Sequence, residues 1–118
     1  MFAAPEMAAL FSAHAHVQRM LDVEAALARA QARAGIVPPG AAEAISSRCR
    51  ADLFDLTVLF REAAASATPV VPLVRMLSEL VDAEARPYVH WGATSQDVID
   101  TATVLQVREA LALLAHGP

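Results

Sequence analysis

Apolar and polar positions along this chain repeat with helical spacing. Between Ser12 and Ala34, Val17, Met20, Leu21 and Leu27 recur three and four places apart around a stripe completed by alanines, which predicts one long helix. Gly35 is a natural stop, and the run Val37-Pro38-Pro39-Gly40 prevents continuation. A short helix is expected from Ala41 to about Arg48. Another should cover Asp52 to Ala65, where Leu53, Leu56, Leu59 and Phe60 share a face. The segment SATPVVP breaks it, and Leu73 to about Ala83 predicts a fourth helix with Val74, Leu77, Leu80 and Val81 inward. A fifth, Gln96 to Ala115, would turn Ile99, Val104, Leu105, Leu111 and Leu114 to a core. No segment sustains two-residue alternation between turn signals, so the expected class is all-α.

Composition changes this picture in one respect. Hydrophobic residues make up 56% of the 118 and charged ones only 19%. Much of the apolar share is alanine, which favours helix and close packing but buries little area per side chain. Such a chain forms a core yet has too little polar surface to cover every helix. It is expected to pack against further protein, from its own continuation or from other subunits. The positive charges are all arginine, the net charge is −4 and neither sign forms a block, which argues against a nucleic-acid surface. No apolar run reaches the roughly 18 residues of a membrane span. The start, MFAAPEMAALFSAHAH, lacks the positive charge of a signal peptide. A single Cys49 cannot form an internal disulfide, and an inert thiol in a cytoplasmic protein is the expectation.

The stretch YVHWGATSQDVIDTA, Tyr88 to Ala102, carries more than a turn requires. Thr94-Ser95-Gln96-Asp97 fits a hydroxyl residue followed three places later by an acid, just before an apolar helical run, which is a capping-box-like start. On one reading Thr94 or Ser95 accepts from the first free amides and Asp97 opposes the helix dipole. On the other, the same free N–H groups, with Gly92 allowing close approach and two hydroxyls adding donors, hold a carboxylate. Spacing does not choose between them, and they are compatible. Asp97 and Asp100 complement the dipole rather than form an acid–base pair. His14 and His16, two apart, face different ways on a helix and cannot chelate one metal; neither a metal nor a cofactor is expected. Trp91 is expected to pack beside the loop. Glu24, among apolar neighbours in LDVEAAL, is expected to be buried and paired with an arginine such as Arg19 or Arg75. Arg75 and Arg108 have surface salt bridging as their default and balancing an anionic substrate as the alternative.

His90 to Ala102, HWGATSQDVIDTA, resembles the first signature region of the fumarase/aspartase superfamily. Within it, the tryptophan after the histidine is most similar to the bacterial 3-carboxy-cis,cis-muconate cycloisomerases. MLDVEAALARAQARAGIVP (Met20 to Pro38) resembles the first long helix of that group, and VVPLVRML (Val70 to Leu77) the segment before the signature. The resemblance implies an N-terminal helical domain over residues 1–95, including the signature loop, and over 96–118 the start of a truncated central-bundle helix. It implies a homotetramer whose active sites each draw on three subunits. Thr94 and Ser95 would bind a substrate carboxylate, Asp97 would orient the loop, and His90 and Gln96 would complete the substrate-binding set. The implied reaction closes 3-carboxy-cis,cis-muconate to 4-carboxymuconolactone, a step of protocatechuate breakdown. The substrate is thus a small polycarboxylate, with no nucleic acid, membrane or cofactor involved. The superfamily's catalytic histidine and its serine-bearing loop lie in later regions, so no catalytic residue is assigned here and the 118 residues alone are expected to be inactive. An adenylosuccinate-lyase-like fragment is the alternative within the superfamily, though LSELVDAEARPY lacks the histidine such enzymes carry ahead of the loop. A non-catalytic helical interaction module is the alternative outside it.

Overall fold

The structure is a computed structural model describing residues 12–116 and, ahead of them, positions 5 and 8; the leader reading of the first residues and the Gly117-Pro118 end fall outside the described residues. Helices α1 (Ala13–Arg33), α2 (Pro39–Ser47), α3 (Leu56–Ser66), α4 (Val70–Leu80) and α5 (Ser95–His116) follow in order, with single 3₁₀ turns at Ala51–Leu53 and Arg86–Tyr88. No strand occurs among the described residues, in keeping with the all-α expectation.

Local chemistry sets the boundaries. The Ser12 hydroxyl caps α1 by accepting from the Ala15 N–H at 3.1 Å. At the other end Gly35 takes a left-handed φ of 76°. The Ile36 N–H then reaches back to the Gln31 carbonyl at 2.9 Å and the Gly35 N–H to that of Ala32 at 3.1 Å, a Schellman closure. Helix α2 starts at Pro39, two residues before the expected Ala41, because proline suits a first position whose N–H has no helical partner. Helix α3 starts later than expected: Ala51–Leu53 forms a 3₁₀ turn, and Asp55 caps the helix by accepting from the Val58 N–H at 3.2 Å. Leu53 therefore sits on the turn, exposed, and Phe60 is also exposed; of the four residues expected to share a face only Leu59 is buried. Helix α4 begins at Val70 because Pro72 falls in the first turn, where its missing N–H costs no helical bond.

The core lies around α1. Val17, Met20 and Leu21 are wholly enclosed together with Ile45, Leu59, Leu73 and Leu77. Helix α1 packs chiefly on α2 and α5, and α3 on α4. Gln31 meets Trp91 while His16 meets Gln106, so α1 and α5 run in opposite directions.

Helix α5 corrects the sequence reading. Its buried positions are Val98, Ala102, Gln106 and Ala110, and Ile99 is half-buried. Val104 and Leu111, expected inward, are 64% and 59% exposed, and Leu114 and Val107 join them outside. The small side chains let α5 approach α1 closely. Polar links fix the same face: the His16 ring to Gln106 at 2.8 Å and Arg19 to Glu109 at 2.7 Å. No helix among the described residues is long and apolar enough to cross a membrane.

Candidate functional site

The first turn of α5 carries the expected cap. Thr94 Oγ1 accepts from the Asp97 N–H at 3.3 Å, and the Thr94 carbonyl accepts from the Val98 N–H at 3.3 Å. A hydroxyl that accepts this way still has its own proton to donate, so capping leaves Thr94 available to an anion. Ser95 opens the helix, half-buried, and Gln96 and Asp97 follow on the exposed side. Gln96 Nε2 donates to Asp100 Oδ1 at 2.8 Å, which engages that carboxylate along the helix flank. Asp97 lies in the first turn, at the positive end of the dipole. Thr94, Ser95, Gln96 and Asp97 are thus brought together by contiguity.

His90 enters by a different route. Its backbone is left-handed, φ 58°, and Gly92 two places on is left-handed as well, φ 72°. A histidine in that region is uncommon and strained unless its surroundings hold it there. What holds it is Glu24. His90 Nδ1 lies 2.5 Å from Glu24 Oε1, and Glu24 is 2% exposed. The hydrogen bond to Glu24 raises the His90 pKa above its ordinary value, with burial pulling the other way.

Glu24 is therefore buried as expected but paired otherwise than expected. Arg19 stands about 140° around α1 from Glu24, five residues away, and cannot share its face. It goes to Asp22 at 3.2 Å and to Glu109. Arg75 is occupied by Glu62 and, at 2.6 Å, by Glu79, so salt bridging is its observed role. The histidine partner is 66 positions away in sequence, beyond any local pattern. The available signal was an acid set in a fully apolar stripe, and it named a buried carboxylate without naming its partner.

A second strut comes from the same helix. Gln31 Nε2 donates to the Trp91 carbonyl at 2.7 Å. The Trp91 ring packs against Tyr88, centroids 6.2 Å apart and tilted, and stays 50% exposed. His14 and His16 turn to different partners, Asp52 and Gln106. A shallow groove elsewhere, lined by Pro38, Ala41, Asp82, Glu84 and Tyr88, presents two carboxylates and suits an anion poorly.

The site thus offers helix N–H groups, two hydroxyls and one imidazole nitrogen, Nε2. That is equipment for holding a carboxylate, without a group assigned to move a proton on a substrate carbon.

Known proteins similar to this chain identify its family. The chain is 51% identical over 116 residues to the 3-carboxy-cis,cis-muconate cycloisomerase of Pseudomonas aeruginosa, an alignment covering 96% of this chain and 25% of that protein. It is 49% identical over 98 residues to the nitrosuccinate lyase of Streptomyces davaonensis, covering 80% of this chain and 21% of that one. The crystal structure of the 3-carboxy-cis,cis-muconate lactonizing enzyme from Pseudomonas putida superposes with a TM-score of 0.92 at 46% identity, covering 96% of this chain and 26% of that one. The chain therefore spans about a quarter of the length of these relatives. The family described as Lyase matches residues 1–116. This chain belongs to that lyase family, within the fumarase/aspartase superfamily.

Proposed function

We propose that these residues are the N-terminal part of a 3-carboxy-cis,cis-muconate cycloisomerase and that His90, Thr94, Ser95, Gln96 and Asp97 form the part of its active site that holds a substrate carboxylate. In that reaction a carboxylate oxygen of the substrate adds across its own double bond. A C–O bond forms, the C=C π bond is lost, and the carbon next to the activating carboxylate gains a proton. Before that proton arrives, negative charge spreads onto the activating carboxylate. Donors aimed at those oxygens stabilise the charge more as it develops than before, which is what lowers a barrier. Thr94 and Ser95 hydroxyls and the free amides of α5 are such donors. Proton transfer falls to residues of later regions or of other subunits.

The observation that carries the reading is the start of α5, where Thr94 Oγ1 caps the first turn as an acceptor and keeps its own proton to donate. The uncovered Val104, Val107, Leu111 and Leu114 support a second element of the proposal: residues 1–95 are an N-terminal helical unit, and α5 begins a helix bundle completed by further chain and by other subunits of a homotetramer in the cytoplasm.

The test is turnover by the protein encoded by the complete reading frame that contains this sequence. 3-Carboxy-cis,cis-muconate should be lactonised far faster than adenylosuccinate or nitrosuccinate is cleaved. Thr94→Ala and Ser95→Ala should each lower kcat/KM by roughly 100-fold, the usual effect of removing one oxyanion donor. Preferred turnover of adenylosuccinate or nitrosuccinate, or full activity in both alanine variants, would overturn the proposal.

A further inference from the structure

Two polar side chains of α1, Glu24 and Gln31, stand seven residues apart and so lie on one face, two turns from each other. They grip consecutive residues of the loop: Glu24 the ring of His90, Gln31 the carbonyl of Trp91. Between them they span the stretch where His90 and Gly92 are left-handed, at φ 58° and 72°. A turn of this kind needs external fixing, and α1 supplies it. Each strut also keeps one buried oxygen, Glu24 Oε2 and Gln31 Oε1, without a hydrogen-bond partner among the described residues. Leaving buried polar atoms unsatisfied opposes folding, so packing alone would not select a glutamate and a glutamine at these places.

We infer that Glu24 and Gln31 are positioning residues: α1 is the template that sets the loop for its carboxylate ligand, and Glu24 fixes the His90 ring so that Nδ1–H points into α1 and Nε2 is the nitrogen left for that ligand. This rests on reading the loop as a carboxylate site, and it names residues outside the signature that shape it. The chemistry follows from the tautomer. An Nδ1–H committed to Glu24 leaves Nε2 as an acceptor in neutral His90 and as a donor in the imidazolium. A polycarboxylate calls for the donor. The raised pKa of His90 favours that form, and Glu24 is the charged group acting on it. The loop then presents one cationic donor beside the neutral donors of Thr94, Ser95 and the α5 amides. Gln31 acts on the other side of the turn, holding the Trp91 peptide so that Gly92 to Thr94 leads into α5 at a fixed angle.

The experiment uses the complete protein with Glu24→Gln and Gln31→Ala, beside Thr94→Ala. Glu24→Gln keeps the shape and can still accept from Nδ1–H, but it removes the negative charge. Gln31→Ala is the milder change, at a half-buried position, and guards against misfolding of the first. Circular dichroism and native mass identify correctly folded and assembled variants. Each α1 variant should lose roughly 100-fold in kcat/KM, the usual effect of a modest misplacement at a distance from the chemistry. Tricarballylate binding by calorimetry, which needs no turnover, should weaken in step. In the parent, affinity for tricarballylate should fall as pH rises through the raised His90 value. In Glu24→Gln that fall should move to lower pH, a change that loss of packing alone would not produce. If Thr94→Ala is impaired while Glu24→Gln and Gln31→Ala keep parental binding and pH profile, the template inference fails and the loop reading stands. If all three match the parent, both fail.

Discussion

Helices α1 and α5 are nearly equal in length, 21 and 22 residues, and opposite in how they use their apolar side chains. Helix α1 turns Val17, Met20 and Leu21 inward and encloses them fully. Helix α5 buries Val98, two alanines and a glutamine and leaves Val104, Val107, Leu111 and Leu114 outside. The difference lies in where each helix finds its partners. Helix α1 finds them on α2, on the inner face of α5 and on the 3₁₀ turn at Ala51–Leu53. Helix α5 meets α1 through small residues and presents its larger apolar side chains to solvent, where large uncovered patches mark contact surfaces. The proposed carboxylate site lies at the start of α5, and α1 holds the loop that leads into it through Glu24 and Gln31.

The contrast breaks most directly in the core. Leu21→Ala should destabilise the chain by about 2–5 kcal/mol, whereas Leu111→Ala on α5 should stay within about 0.5 kcal/mol, both read from urea midpoints. Equal losses would mean that α5 is packed as α1 is. The caps come next. Asp55→Ala at α3 and Thr94→Ala at α5 should each cost about 1 kcal/mol of stability, but only Thr94→Ala should also weaken tricarballylate binding by the complete protein. A smaller effect concerns pH. The pKa of folded His90 lies above its unfolded value of about 6.5, so stability from the Glu24 pair is fully present below that pH and is lost as pH rises through the folded value. The midpoint difference between parent and Glu24→Gln should therefore be larger at pH 6 than at pH 9. The last prediction leaves stability unchanged. Cys49, buried against the α1 side with its pKa pushed up to about 12 by burial first and nearby Glu24 second, should resist a thiol reagent at pH 8 until the chain unfolds. Rapid labelling of the native chain would show that the α1 side opens as readily as α5.

The comparison also explains what the sequence disclosed. Spacing located the five helices between residues 13 and 116, because caps, prolines and glycines act within a few residues of where they stand. The Thr94 cap at the α5 start was legible for the same reason. The inward side of α5 was not, since large apolar residues look like core in a periodic pattern whether a partner lies in the same stretch of chain or elsewhere. Glu24 was legible as buried and illegible as to partner: Arg19 is close in sequence but on another face, whereas His90 is remote in sequence and adjacent in space. Tertiary pairing of that kind leaves no local trace.

The buried residues of α5, Val98, Ala102, Gln106 and Ala110, are each four apart, and those of α1 fall into the rows Val17-Leu21-Ala25 and Met20-Glu24-Ala28 with the same step. Rows of that step slant across a helix, and when two of them interlock the axes cross obliquely, at about 50°, rather than lying side by side. Glu24 belongs to such a row. A substitution that enlarged a side chain in these rows would shift α5 against α1, moving the proposed carboxylate site and the outward valines and leucines together.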